Sequence, residues 1–155
     1  STTGEADSYI CYDFSANHWT KGKLGRSVGV DNAATAYPLL VSADGYLYNH
    51  ELPGTAIVDG VVPYCETGPL ELGQGDRQAF IDYLYPDEAV AGDVTLTILT
   101  QDMPNLSSTS YGPYTLTGPT PVRARGRQFA LRFEGRAAGW QIGTMRVNVK
   151  TGGIR

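Results

Sequence analysis

Residues 93–101, DVTLTILTQ, alternate without a break: Val94, Leu96 and Ile98 fall on one face of an extended chain, Thr95 and Thr97 on the other. A side-chain period of two is the mark of a strand with one covered face. MRVNVK (145–150) repeats the pattern, with Met145, Val147 and Val149 predicted inward and Arg146, Asn148 and Lys150 outward. Nearer the N-terminus, ICYDF (10–14), RSVGVD (26–31), YPLLVS (37–42) and YLYNHE (46–51) read as four short strands. The last two are joined by Ala43-Asp44-Gly45, a tight-turn signal in which glycine takes positive φ freely. Further strands are expected within 56–66, 68–76 and 78–86. DRQAFIDYL (76–84) sets Phe80 and Leu84 four apart, as a helix would, but GQG (73–75) and Pro86 hem it in, which favours a strand. MPNLSSTSYGP (103–113) is polar and broken by glycine and proline, so it is predicted as a loop.

Together these segments predict an all-β chain. A four-stranded, propeller-blade-like hairpin region over 1–55 is followed by an antiparallel β-sandwich over 56–155. A lone blade leaves both faces open, so residues 1–55 are expected to need neighbours. Composition agrees: 19 glycines, nine prolines and ten tyrosines suit short strands and tight turns. At 155 residues and 41% hydrophobic content, a sizeable core is within reach. The chain opens on Ser1 rather than methionine, as a processed product or a piece of a longer protein would. No apolar run approaches the ~20 residues of a membrane helix, and no signal-peptide pattern opens the chain; a soluble protein is expected.

Charge is unevenly spread. Residues 1–122 carry fifteen Asp/Glu against four Lys/Arg, net −11, whereas residues 123–155 carry eight Lys/Arg against Glu134 alone, net +7. Either the two parts face each other or the basic end faces an anionic partner. Five of the eight cations lie in RARGRQFALRFEGR (123–136). As one extended strand, its odd positions run Arg123, Arg125, Arg127, Phe129, Leu131, Phe133, so one face begins basic and becomes apolar. Arginines ~6–7 Å apart along a strand form a stripe suited to bidentate pairing with carboxylates of the chain or a neighbour. Contact with a DNA backbone is the sharper alternative, but an acidic chain lacks the broad basic footprint it requires. No aromatic alternates with these arginines, so stacking on single-stranded nucleic acid is not expected.

Other candidates carry less. GRSVG (25–29) fits G-x-S-x-G, with Asp44 and His50 following in hydrolase order. A nucleophile elbow needs a helix after the serine, and VDNAATAYP offers none. His18 and His50, the only histidines, lack metal-ligand spacing. Adjacent Asp87 and Glu88 point to opposite faces of an extended chain and form no acid/base pair, and Asn105 opens a formal glycosylation triplet. Cys11 and Cys65, 54 positions apart, make neither a disulfide framework nor a C-x-x-C site and are expected as buried free thiols. Trp19 and Trp140, with the tyrosines, are candidate stacking platforms for a carbohydrate- or receptor-binding module.

Read in order, HWTKGKLGRSVGVD, YPLLVSADGYLYNHELPG, CETGPLELGQGDRQAFIDYLYPDE, GDVTLTILTQDMPN, GPYTL and PVRARGRQFALRFEGRAAGWQIGTMRVNVKTGGIR resemble the C-terminal region of the tail nozzle proteins of short-tailed bacteriophages, also called packaged-DNA stabilisation proteins. The resemblance covers nearly the whole chain. It implies that DGYLYNHE closes a β-propeller and that ETGPLELGQGD opens a β-rich domain. The terminal signature falls here on Arg125, Gly126, Arg127, Gln128, Leu131, Arg132, Gly139, Trp140, Gly143 and Arg146. By the same resemblance, a structural virion protein without enzymatic activity or cofactor is expected. It would form a homo-oligomeric ring, typically of six copies, around the DNA exit channel. Its partners would be adaptor, fibre or needle proteins of the tail, with packaged DNA a permitted but unneeded contact and assembly in the bacterial cytoplasm. Arg123, Arg125, Arg127, Arg132 and Arg146 are the candidate assembly residues, and Trp19 and Trp140 the candidate receptor contacts. Full-length nozzle proteins carry several blades, so this chain is expected to be a fragment or a smaller tail protein sharing the end module.

Overall fold

A computed structural model describes residues 6–31, 35–52, 60–73, 77–86, 93–104 and 106–154. The fold is all-β, with thirteen strands and no helix among the described residues. Two compact units divide the chain, Ser1–Gly54 and Thr55–Arg155.

In the first unit, β1 (Ser8–Asp13) and β2 (His18–Lys23) form an antiparallel hairpin. Its turn is built by Asp13, whose Oδ1 accepts from the amides of Ser15 and Ala16 and from the Ser15 hydroxyl, and by Asn17 at positive φ. β3 (Val28–Val30), β4 (Leu39–Val41) and β5 (Leu47–Asn49) make a separate three-stranded antiparallel sheet. Gly45, at φ +85°, turns β4 into β5 as its sequence predicts. Among the described residues this region is therefore two small sheets rather than one four-stranded blade. The extra strand is β2, whose sequence HWTKGK shows no apolar alternation because neither of its faces is covered.

The second unit is a sandwich. One sheet runs β10 (Thr109–Thr115), β9 (Val94–Gln101), β12 (Gln128–Gly135), β6 (Tyr64–Glu66), with β7 (Leu70–Glu71) also pairing β12. The other runs β11 (Thr120–Gly126), β8 (Arg77–Pro86), β13 (Met145–Ile154), and every pairing is antiparallel. Their inner faces hold all the buried apolar side chains among the described residues. Ala79, Ile81 and Leu84 come from β8, Val94, Leu96 and Ile98 from β9, Val122 and Ala124 from β11, Phe129, Leu131 and Phe133 from β12, and Leu116 from the β10–β11 connection. Met145, Val147 and Val149 close the other side, as their alternation predicts.

Two further departures from the sequence-based expectations bear on where the arginines lie. Residues 109–113, expected in a loop, begin β10. A bulge at Gly112–Pro113 carries the proline, which an edge strand tolerates because its missing N–H leaves no ladder bond unmade. The arginine run is not one strand: β11 and β12 belong to opposite sheets, and the chain crosses between them at Gly126–Arg127. Crossing reverses which side of the chain is inward. Even positions are therefore buried in β11 and odd positions in β12, the phase changing across Arg127 and Gln128, which are both half-buried. Gly126 makes the corner possible, since a Cβ there would press on Thr100.

Candidate functional site

The outer face of the three-stranded sheet β11–β8–β13 collects four of the chain's twelve basic residues. Burial and register set three outward rows: Pro121, Arg123 and Arg125 on β11; Tyr85, Tyr83 and Phe80 on β8; Arg146, Asn148 and Lys150 on β13. Arg146 lies across from Tyr85, and Phe80 is flanked by Arg125 and Lys150. Tyr83 and Tyr85 stack with ring centroids 5.8 Å apart. Four cations thus border an aromatic middle strand, and the one carboxylate in the rows' midst, Asp82, is held by Lys150 at 2.5 Å. Along the chain no aromatic alternates with the arginines; the neighbouring strand brings them instead. The signal was the outward phase of Tyr83 and Tyr85, hidden by the extra residue that shifts alternation between Ile81 and Leu84.

Not all five candidate arginines belong here. Arg132 is on the opposite sheet. Its Nε donates to Glu134 at 2.9 Å, an Nη lies 3.7 Å from Glu66, and its guanidinium sits 3.9 Å from the centre of the Tyr64 ring. Arg127, at the corner, has an Nη 3.7 Å from Glu71, while its Nε is covered without a hydrogen-bond partner among the described residues. These two meet acids of the same chain. Arg125 instead donates through Nε to the side-chain carbonyl of Gln78 at 2.7 Å. Arg123 is exposed, with no ion-pair partner among the described residues.

The tryptophans separate as well. Trp140 is half-buried against the core, its ring lying where a Cβ of Gly135 would be, so it packs rather than presents a platform. Trp19 is 69% exposed on the β1–β2 hairpin. Tyr12 lies 4.5 Å from it, and Phe14, 87% exposed, is edge-on to Tyr12 at 5.1 Å. This hairpin and the β3–β4–β5 sheet hold no buried side chain among the described residues. Ile10, Val28, Val30, Tyr46 and Leu47 are all more than half exposed.

The hydrolase pattern does not find its architecture. Ser27 donates its backbone amide to Val41 at the entry to β3, so an antiparallel strand follows where an elbow requires a helix. Asp44 is engaged in the β4–β5 turn, where a hydrogen bond from Ser42 first, then those from Tyr46 and Tyr48, hold its carboxyl below the usual range. The His50 Nε2 accepts from Arg26 Nε at 3.1 Å. Among the described residues no three or more of His, Cys, Asp and Glu group as a metal site. Asp87, Glu88 and Asn105 lie outside the described residues. Both cysteines are free, but they are exposed rather than buried. Cys11 is on a hairpin with no covering layer and Cys65 on the edge strand β6, places where a strand residue meets solvent whatever its polarity.

Compared with protein-family models, with curated proteins and with solved structures, the chain matches none.

Proposed function

We propose that this chain is a structural component of a bacteriophage tail nozzle, working through protein–protein contacts in a ring that meets other tail proteins and closes the DNA exit channel. The observation that carries the assembly reading is the first unit, whose two small sheets leave Ile10, Trp19, Val28, Val30 and Leu47 open to solvent. Large apolar side chains left open on sheets without a covering layer are suited to burial against a partner, and small sheets with no packed face are stabilised by neighbours. The aromatic–arginine face of β11–β8–β13 supports it, because tyrosine and arginine dominate protein–protein hot spots. The family resemblance supplies the setting.

Size-exclusion chromatography with light scattering and cryo-electron microscopy of intact tails test it. The expected outcome is a closed oligomer in solution or a ring of this chain in the tail density. A monomer in every preparation, with no contact to any tail component, overturns it.

A further inference from the structure

At one end of the sandwich, a cleft of about 460 Å³ opens where β8 begins, β9 ends, β10 begins and β11 ends. That volume lies within the ~300–1,000 Å³ of small-molecule sites. Its walls include Gln78, Gln101, Asp102, Thr109, Tyr111 and Arg125. Hydrogen bonds link three of these across the two sheets: Arg125 Nε donates to Gln78 Oε1 at 2.7 Å, and Gln78 Nε2 reaches Asp102 Oδ1 at 3.4 Å. Gln101 is steadied in turn, donating to Gln128 at 3.0 Å, which donates to Glu71 at 3.1 Å. Planar polar groups held by their neighbours are preorganised, which lowers the ordering cost of binding.

We propose that this cleft binds a neutral saccharide through a vicinal pair of ring hydroxyls, with Arg125, Gln78 and Asp102 as the recognising groups. Guanidinium, amide and carboxylate each present two donors or acceptors in one plane, the spacing of adjacent hydroxyls on a sugar ring. A hydroxyl both donates and accepts, so it matches a lining that mixes donors (Arg125) with an acceptor-only group (Asp102). Charge selects the neutral class: one cation and one carboxylate line the cleft and cancel. Tyr111 and Leu106 supply apolar surface for the C–H face of the ring. Asp102 is the sole carboxylate among the described lining residues, whereas glycoside hydrolysis uses two, so the site binds without cleaving. This site is separate from the tryptophans singled out in the sequence and does not depend on the assembly reading.

The test is a titration of the intact, isotope-labelled chain followed by amide NMR, with glucose, galactose, mannose, maltose and lactose as probes. Glucuronate and inorganic phosphate form the anion arm. At least one neutral sugar should give saturable shifts centred on Gln78, Gln101, Asp102 and Arg125. Kd should be in the millimolar range, the scale that ligand efficiency sets for a dozen or so heavy atoms. Arg125→Gln and Asp102→Asn should each weaken binding about tenfold, while Asp44→Asn, in the other unit, leaves it unchanged. Absence of saturation by every neutral sugar overturns the proposal. So does undiminished binding in both cleft variants, or tighter binding of phosphate or glucuronate that survives Asp102→Asn, which would reveal a simple anion site at Arg125. Light scattering on the same samples reads the oligomeric state, so failure of the sugar site and failure of the assembly reading are seen separately.

Discussion

Asp82 occupies the one position where β8 carries a residue more than β13: Tyr83 faces Asn148 and Ile81 faces Val149, leaving Asp82 between them. The bulge turns its carboxylate to Lys150, and only 15% of the Asp82 side chain remains exposed. The Lys150 hydrogen bond holds the Asp82 carboxyl below the ordinary carboxylate range, and Asp82 in turn raises Lys150. A depressed carboxyl stabilises the fold above its unfolded pKa of ~3.9, and the contribution is lost as pH falls through the lower folded value. The raised lysine contributes below its unfolded pKa of ~10.4 and loses its share as pH rises through the higher folded value. Urea midpoints measured from pH 2 to 11 should therefore show Asp82→Asn below the parent by a constant margin between roughly pH 5 and 9. The two curves should converge below about pH 4. A margin that persists unchanged at pH 2 would mean that the carboxylate's charge is not what the variant removes. Single residues of this kind were the least legible in the sequence. Arg127 and Arg132 invited acidic partners, but Glu71 and Glu66 are far away in the chain and only strand pairing selects them. The expectation of buried cysteines failed because residue type says nothing about whether a strand has a covering layer.

Strands with one covered face were legible and the others were not. β9 and β13 alternate in sequence because the core demands it at every second position. β2 has no such demand, and its evidence lay only in the turn, in Asp13 and Asn17. β10 was obscured by Gly112 and Pro113, which an edge strand accommodates in a bulge. The arginine run shows the most useful signal: an alternation whose one phase changes from basic to apolar marks a strand pair crossing from one sheet to the other. β12 then depends on its odd positions. Phe129, fully buried, sits just past the corner, and Phe129→Ala should cost about 3–5 kcal/mol by removing a large core side chain. On the other face of the same strand, Arg132 is half-exposed and ion-paired, and Arg132→Ala should cost no more than about 1 kcal/mol. Chemical denaturation of the two variants checks the contrast. Equal losses would mean that β12 does not carry its inward phase into the core.

The two units differ in what holds them, and that difference is measurable in the free chain. The described apolar side chains that are buried all lie between Ala79 and Phe133, within the sandwich. β1 to β5 have backbone ladders but no covered face, and small sheets without a packed face are marginal in water. Hydrogen exchange follows local opening, which is easy where few apolar contacts must be broken and as hard as global unfolding in a core strand. In a dilute, monomeric sample the amides of β1–β5 should therefore exchange orders of magnitude faster than those of β8, β9 and β12. Protein assembled into oligomers should protect β1–β5 selectively, because neighbours cover apolar side chains such as Trp19 and Leu47 that are open in the free chain, while the sandwich core changes little. Trp19→Ser should then abolish the added protection and leave the sandwich's unfolding midpoint where it was. If β1–β5 are as protected as β9 in the monomer, the first unit is self-sufficient, and its open apolar residues need no partner to explain them.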